Sequence, residues 1–363
     1  MALILGIESS CDETAVAVVK DGFEVLSSAI ASQIASHAQH GGVVPELAAR
    51  EHLIAIDHVM RQALNESGVA LNDIDAIAVT QGPGLMPALL VGLNYAKGLA
   101  VANNLPIIGV NHFLGHIYSA FLGEGYDCLL QAASYPMLAL VVSGGHTSLM
   151  LIKNDGSAIQ LGMTIDDAAG EALDKASKLL GLGYPGGPII QKTAANGNAS
   201  AIAFPRPLTG GAGKALSEAN KHNFSFSGIK TALLYYVKNN LPSCGKFSDQ
   251  EIADIAASYQ EAVIDVLTAK TMQAAREYGV KTVVLCGGVA CNGPLRDRFA
   301  AKVPHGVKLQ LAARKNCTDN AAMIGGVGYH HFINGEFSEL TMDSFARLPR
   351  VTMVPFVHKT GSK

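Results

Sequence analysis

At 363 residues, with 49% hydrophobic and 16% charged positions and 38 glycines, the chain is too apolar for a disordered or fibrous protein and long enough for two domains of ordinary size. Its formal net charge of −3 argues by itself for no polyanionic partner. The six cysteines, Cys11, Cys128, Cys244, Cys286, Cys291 and Cys317, form no C-x-x-C pair and no zinc-ribbon spacing, so reduced, buried thiols in a cytoplasmic protein are expected.

The opening run MALILGIESSCDET turns polar after a few apolar residues and lacks a charged leader, so it reads as a first strand rather than a signal peptide. ALILGIESSCDETAVAVVKDG predicts a strand, a small-residue turn at Ser9-Ser10, a second strand and a D-G turn. In VVPELAAREH, Glu46 reads as a first-turn helix residue favoured by the helix dipole, with a role in a site as the competing reading. DAIAVTQGPGLMPALLVGLNYAKGLA then runs from strand through Gly82-Pro83-Gly84 to helix, with Pro87 suited to the first helical turn. The apolar stretch near 85–110 is interrupted by Asn94, Lys97, Asn103, Asn104 and Pro106, and no membrane span is expected.

NHFLGHIYSA follows, with His112 and His116 four apart. On a helix that spacing puts both imidazoles on one face, where they reach one ion or sit as ordinary core histidines. The zinc protease pattern H-E-x-x-H needs a glutamate after the first histidine, and Phe113 stands there.

The script is then written again. PMLALVVSGGHTSLMLIKNDG repeats strand, Gly144-Gly145 turn, strand and D-G turn at an offset of 134. TVVLCGGVACNGPLRDRFAAKV repeats the strand-turn-helix unit through Gly287-Gly288 at an offset of 206, so the second copy is longer by about 72 residues. Two α/β domains follow: 1–125, with the tail 330–350 packing back on it, and 126–330, with a basic insertion around 175–248. Residues 1–130 carry 4 Lys+Arg against 13 Asp+Glu, so the remainder is net positive. Within 206–246, Arg206, Lys214, Lys221, Lys230, Lys238 and Lys246 face one acid, Glu218, and 281–315 holds seven bases against Asp297. That asymmetry suits a phosphate-rich partner, or else solvated faces without function. Glycine turns at strand ends suit phosphates, because no Cβ screens their amides. The duplicated plan resembles the actin, sugar-kinase and heat-shock ATPase superfamily, whose two ribonuclease H-like domains face a nucleotide-binding cleft; such a plan does not fix the reaction.

The strings GIESSCDETAVAVV, HGGVVPELAAREH, GVNHFLGH, LVVSGGHTSL, DDAAGEALDKASKLLGLGYPGGP, FSFSGIKTA, LCGGVACNGPLR and NCTDNAAMIG together resemble the tRNA N6-adenosine threonylcarbamoyltransferases, formerly called glycoproteases. The resemblance implies transfer of a threonylcarbamoyl group from threonylcarbamoyl-adenylate to N6 of the adenosine 3′ of the anticodon, with release of AMP. It implies one divalent metal ion per subunit, usually described as iron (Fe2+) and in some members zinc (Zn2+), on residues matching His112, His116 and Asp319. It places donor contacts on Val142, Ser143, Gly144, Gly145, His146, Asp174, Gly187 and Asn292. From the residues alone, Asp174 also reads as a helix-surface carboxylate, and Asn292 as a helix N-cap. Asp12, on the first turn, is the candidate general base or metal-water partner, with Glu13 beside it. Implied partners are tRNA, a shorter paralogue of the same fold that pairs through N-terminal helices, and a small ATPase. The chain departs from the common pattern at Asn111, where many members carry histidine, at the cysteine of GGVACN, and in the length of TGGAGKALSEANKHN. The competing readings are a nucleotide-gated interaction module without catalysis, and a metalloendopeptidase.

Overall fold

A computed structural model describes residues 1–123, 126–210, 218–243, 245–347 and 350–357. The strands are β1 (Leu3–Glu8), β2 (Glu13–Lys20), β3 (Glu24–Ser32), β4 (Ala76–Gly82), β5 (Ile107–Asn111), β6 (Met137–Val142), β7 (Thr147–Ile152), β8 (Ala158–Met163), β9 (Thr282–Cys286) and β10 (Lys308–Leu311). The helices are α1 (Ile34–Ala38), α2 (Pro45–Ser67), α3 (Met86–Asn103), α4 (His112–Tyr118), α5 (Tyr126–Leu130), α6 (Ala169–Leu179), α7 (Gly186–Ala194), α8 (Ser227–Asn240), α9 (Asp249–Glu277), α10 (Gly293–Lys302) and α11 (Ala321–Ile333).

Two five-stranded sheets have the orders β3-β2-β1-β4-β5 and β8-β7-β6-β9-β10, so each strand of the first has a counterpart at the same place in the second. The D-G turn of each copy leads into a third strand, β3 or β8, at a sheet edge. In the first sheet β1 is antiparallel to β2 and parallel to β4, with Ile7 opposite both Val16 and Val79. In the second, β6 is parallel to β9, with Val141 opposite Cys286. β6, β7 and β9 are buried along their whole length, which explains their unbroken apolar runs.

By internal contacts the described residues form two compact units: Met1–Tyr135 with Ile152–Ala158 and the described residues from Ala312 onward, and Pro136–Leu151 with Ile159–Leu311. These bounds differ from the expected 1–125 and 126–330: residues 126–135, the end of β7 with the turn after it, and α11 with the turn before it belong to the first unit. Within that unit, α11 contacts β1, β2, β4 and α4. Its small face, AAMIGGVG, allows this close approach. A Cβ on Gly325 would stand 2.9 Å from Val19 Cγ2, and one on Gly6 of β1 would meet the Ala321 carbonyl and stand 2.8 Å from Gly325 N. The segment after α11 also lies on the first unit: Ser338 N donates to Ile107 O (2.9 Å), and Phe345 N donates to Gln81 O (2.9 Å). No helix among the described residues is long and apolar enough to cross a membrane.

Gly6→Ala should push α11 away from β1 and destabilise the fold by about 1–3 kcal/mol, the usual range for overpacking, read as a lowered urea midpoint at unchanged slope.

Candidate metal centre

β5 ends in Asn111, whose side chain accepts from the backbone N–H groups of Phe113 (2.9 Å) and Leu114 (3.4 Å) and so starts α4. The following seven-residue helix carries His112 and His116 on one buried face, 4% and 1% exposed. Their rings meet edge to face, centroids 4.6 Å apart. Asp319 arrives from the turn before α11, whose N-cap Asn320 accepts from Met323 N (3.0 Å). Its Oδ1 lies 3.6 Å from His112 Nε2 and 3.2 Å from His116 Nε2.

These residues fit a metal ion. Their ligand atoms all lie within 4.8 Å of one another. Two donors each about 2.0–2.1 Å from one ion stand roughly 3–3.5 Å apart, close to the observed separations. Both ring nitrogens of His116 are buried with no hydrogen-bond partner among the described residues, so its 3.2 Å approach to Asp319 is not aligned as a hydrogen bond. A buried imidazole left in that state costs about 1–3 kcal/mol unless something else satisfies it. Two imidazoles and one carboxylate keep coordination positions open, unlike a closed structural zinc site.

Sequence reasoning missed the residue behind His112. Glu8, the last residue of β1, is fully buried. Its Oε2 accepts from Thr80 Oγ1 (2.6 Å) and lies 2.9 Å from His112 Nδ1, while Oε1 accepts from Ser10 N. Its signal in the sequence is one carboxylate closing an otherwise apolar strand, a place where a charge needs partners. Burial opposes the charge on His112, but Glu8 and then Asp319 outweigh it and lift the imidazolium pKa to about 9. Burial likewise pushes Glu8 up, yet the charge and hydrogen bond of His112, with Thr80, hold it below its usual value.

Asp12 is buried, with its carbonyl accepting from Gln33 N (2.9 Å) and its carboxylate close enough to Cys11 and Glu13 for its charge to act on both. Burial first, then the charges of Asp319 and Asp12, push the Glu13 carboxyl up to about 10, and the same causes push the Cys11 thiol up. Carboxylates thus accumulate around Asp319, where a cation would relieve them. Glu46 is instead an exposed first-turn residue, paired with Arg50 at 2.8 Å.

The second unit holds the other candidates. Val142 ends β6, and the turn after it is closed by Ser143 N donating to His146 O (2.8 Å) and His146 N to Ser143 Oγ (3.1 Å). Gly144 and Gly145 at its tip are exposed, with open space where a Cβ would stand. Gly170 N, in the first turn of α6, donates to Ser143 O (3.2 Å). Gly287, at φ +91°, lets the turn after β9 touch the Val142 carbonyl. Asp174 Oδ1 accepts from Gly186 N (2.6 Å) at the start of α7, so Asp174 and Gly187 are neighbours. Asn292 is the N-cap of α10: Oδ1 accepts from Leu295 N (2.9 Å), and Nδ2 donates to Gln260 Oε1 (2.8 Å). Two of the lysines counted as basic footprint are neutralised internally, Lys221 by Glu277 (2.8 Å) and Lys230 by Asp167 (3.1 Å). Lys214 lies outside the described residues.

Residues 24–326 match the family model described as TsaD, tRNA N6-adenosine threonylcarbamoyltransferase. Proteins named tRNA N6-adenosine threonylcarbamoyltransferase are similar over nearly the whole chain. That of Symbiobacterium thermophilum is 49% identical, covering 94% of this chain and 95% of its own. That of Clostridioides difficile is 46% identical, covering 95% and 98%. Among solved structures, T. kodakarensis HypF superposes with a TM-score of 0.59 at 15% identity, over 92% of this chain and 48% of its own. A full-length HypF in a phosphate- and nucleotide-bound form gives 0.57 at 15% identity, over 93% and 47%. These two likenesses bear on the fold and place it in the actin-like class.

Because His112 holds a proton below pH 9 in the metal-free chain, an ion binding Nε2 must displace it. Metal affinity should therefore fall by about tenfold per pH unit from this group as pH drops below 9, and level off above it. Calorimetric titration in buffers of different ionisation enthalpy should count about one proton released at pH 7.5.

Proposed function

We propose that this chain, which belongs to the tRNA N6-adenosine threonylcarbamoyltransferase family, transfers the threonylcarbamoyl group of threonylcarbamoyl-adenylate to N6 of adenosine 37 in tRNAs that read codons beginning with A. The observation that carries this reading is the convergence of His112, His116 and Asp319 in one buried corner of a chain that matches the family from residue 24 to 326. The C–O bond of the acyl-phosphate anhydride breaks, an N–C bond forms at N6, AMP leaves, and the amine gives up a proton. The donor is already activated, so positioning carries most of the catalysis.

An ion on His112, His116 and Asp319, iron or zinc, would supply Lewis-acid polarisation of a carbonyl or phosphate oxygen. Asp12 is the candidate acceptor for the N6 proton, held beside Glu13 and Cys11. In the second unit, the exposed backbone at Gly144 and Gly145 suits phosphate oxygens. Asp174 fixes the start of α7 and so presents Gly187, and Asn292 acts by holding the start of α10. Metalloendopeptidase action is not favoured: Phe113 stands where that chemistry needs its glutamate. A role confined to non-catalytic assembly is not favoured by the relatives' names either.

For partners, we infer that the shorter paralogue docks on the α2 and α3 helices, where Leu53 (66% exposed), Ile54 (79%) and Val101 (65%) leave apolar surface uncovered and Leu53 and Leu90 edge a groove floored by Ile56. A small ATPase completes the complex. For tRNA, exposed Lys192 and Lys238 suit phosphate contacts better than Lys221 and Lys230, whose charges are already paired. The reaction fits a cytoplasmic protein.

His112→Ala should lower transfer to unmodified tRNA at least about a hundredfold, measured by mass spectrometry of digested nucleosides with donor and partner proteins present; near-normal turnover would remove the metal from the reaction. Leu53→Glu with Leu90→Glu should weaken association with the paralogue by about tenfold or more in sedimentation experiments, while metal content stays unchanged.

A further inference from the structure

The two histidines of the metal centre are held differently. His116 has no hydrogen-bond partner on either nitrogen among the described residues. His112 Nδ1 lies 2.9 Å from Glu8 Oε2 and 3.2 Å from Ser10 Oγ, while its Nε2 is on the side of Asp319. Glu8 is itself fully buried and bound by Thr80 Oγ1 and Ser10 N, so its carboxylate has one place to be. A ring nitrogen that ligates must carry a lone pair, which puts the proton of the neutral ring on the other nitrogen.

We propose that Glu8 is a positioning residue for the metal centre: by accepting the Nδ1 proton of His112 it fixes the ring's orientation and tautomer, leaving Nε2 as the ligand. Without that acceptor, the Ser10 hydroxyl donates to Nδ1 instead, and the proton moves to Nε2, where it blocks coordination. A carboxylate behind a ligating histidine raises its basicity as well as orienting it, and loss of such a partner typically weakens metal binding by about 10–100-fold. Thr80 and the Ser10 amide act one step further out, by holding Glu8. The inference rests on the metal reading above.

The test titrates Co2+ into the full-length, chelator-stripped chain and follows its absorption. Glu8→Gln keeps the shape but gives up a carboxylate oxygen, and it should raise the Co2+ dissociation constant about 10–100-fold, with the saturated spectrum unchanged because the ligands are the same. In a His112→Ala background Glu8→Gln should cost no further affinity, and in a His116→Ala background it should cost as much as before. A general structural role predicts equal losses in both backgrounds, and that result overturns the inference, as does a folded Glu8→Gln chain within twofold of the unsubstituted one. Should Glu8→Gln fail to fold, Thr80→Val decides: a severalfold weakening supports the inference and an unchanged constant overturns it. If the unsubstituted chain binds no Co2+, the metal reading itself fails and the inference falls with it, whereas equal binding by both chains removes the inference alone.

Discussion

The chemistry of the first unit depends on how closely α11 lies on its sheet. Asp319 stands just before this helix, and His112 and His116 sit on α4, far away in the chain. The distance from Asp319 Oδ1 to His116 Nε2, 3.2 Å, is set by the seat of α11 on β1, where Gly6 and Gly325 leave no room for side chains between the backbones. Beyond the ligands, Tyr118, the last residue of α4, reaches His330 of α11 with its hydroxyl at 2.9 Å from Nε2. That hydrogen bond ties α4 to α11 at the end of their contact away from Asp319. Interiors this dense transmit small displacements, so a shift of α11 by a methyl's width would be felt at the carboxylate.

Electrostatics gives the same corner its second character. Glu8, Asp12 and Asp319 bring carboxylates into a region largely removed from water, and Glu13 beside them has its pKa driven up to about 10. Uncompensated buried charge is expensive, which is why one carboxyl takes a proton and one histidine holds one. A divalent cation would take the place of the His112 proton and partner the carboxylates directly. Glu8 and Asp319 would then take distinct parts, one behind an imidazole and one facing the ion.

The internal repeat was legible because turn chemistry and strand period recur together: Ser9-Ser10 and Gly144-Gly145 occupy the same place in sheets of the same strand order. The third strand of each copy was harder to see, since β3 reads EVLSSAIAS, small and half polar, and lies at an edge where burial does not impose a strong pattern. The histidine spacing was legible as a shared helix face. Asp319 was reachable only through family resemblance, because nothing local in KNCTDN distinguishes a ligand from a helix-start carboxylate. Counting lysines within one stretch leaves the charge balance incomplete for the opposite reason: Glu277 and Asp167, which pair with Lys221 and Lys230, come from other parts of the chain. Asn292 followed its local signal, the N-cap before Gly-Pro, and the cap occupies its side chain.

The central claim is that one ion is held by two imidazoles and a carboxylate. X-ray absorption at the metal edge of the loaded protein tests it most directly. The account predicts a first shell of nitrogen and oxygen only, with the outer-shell scattering of two imidazole rings and no sulfur. A sulfur neighbour from Cys11, or a spectrum without imidazole scattering, would contradict it.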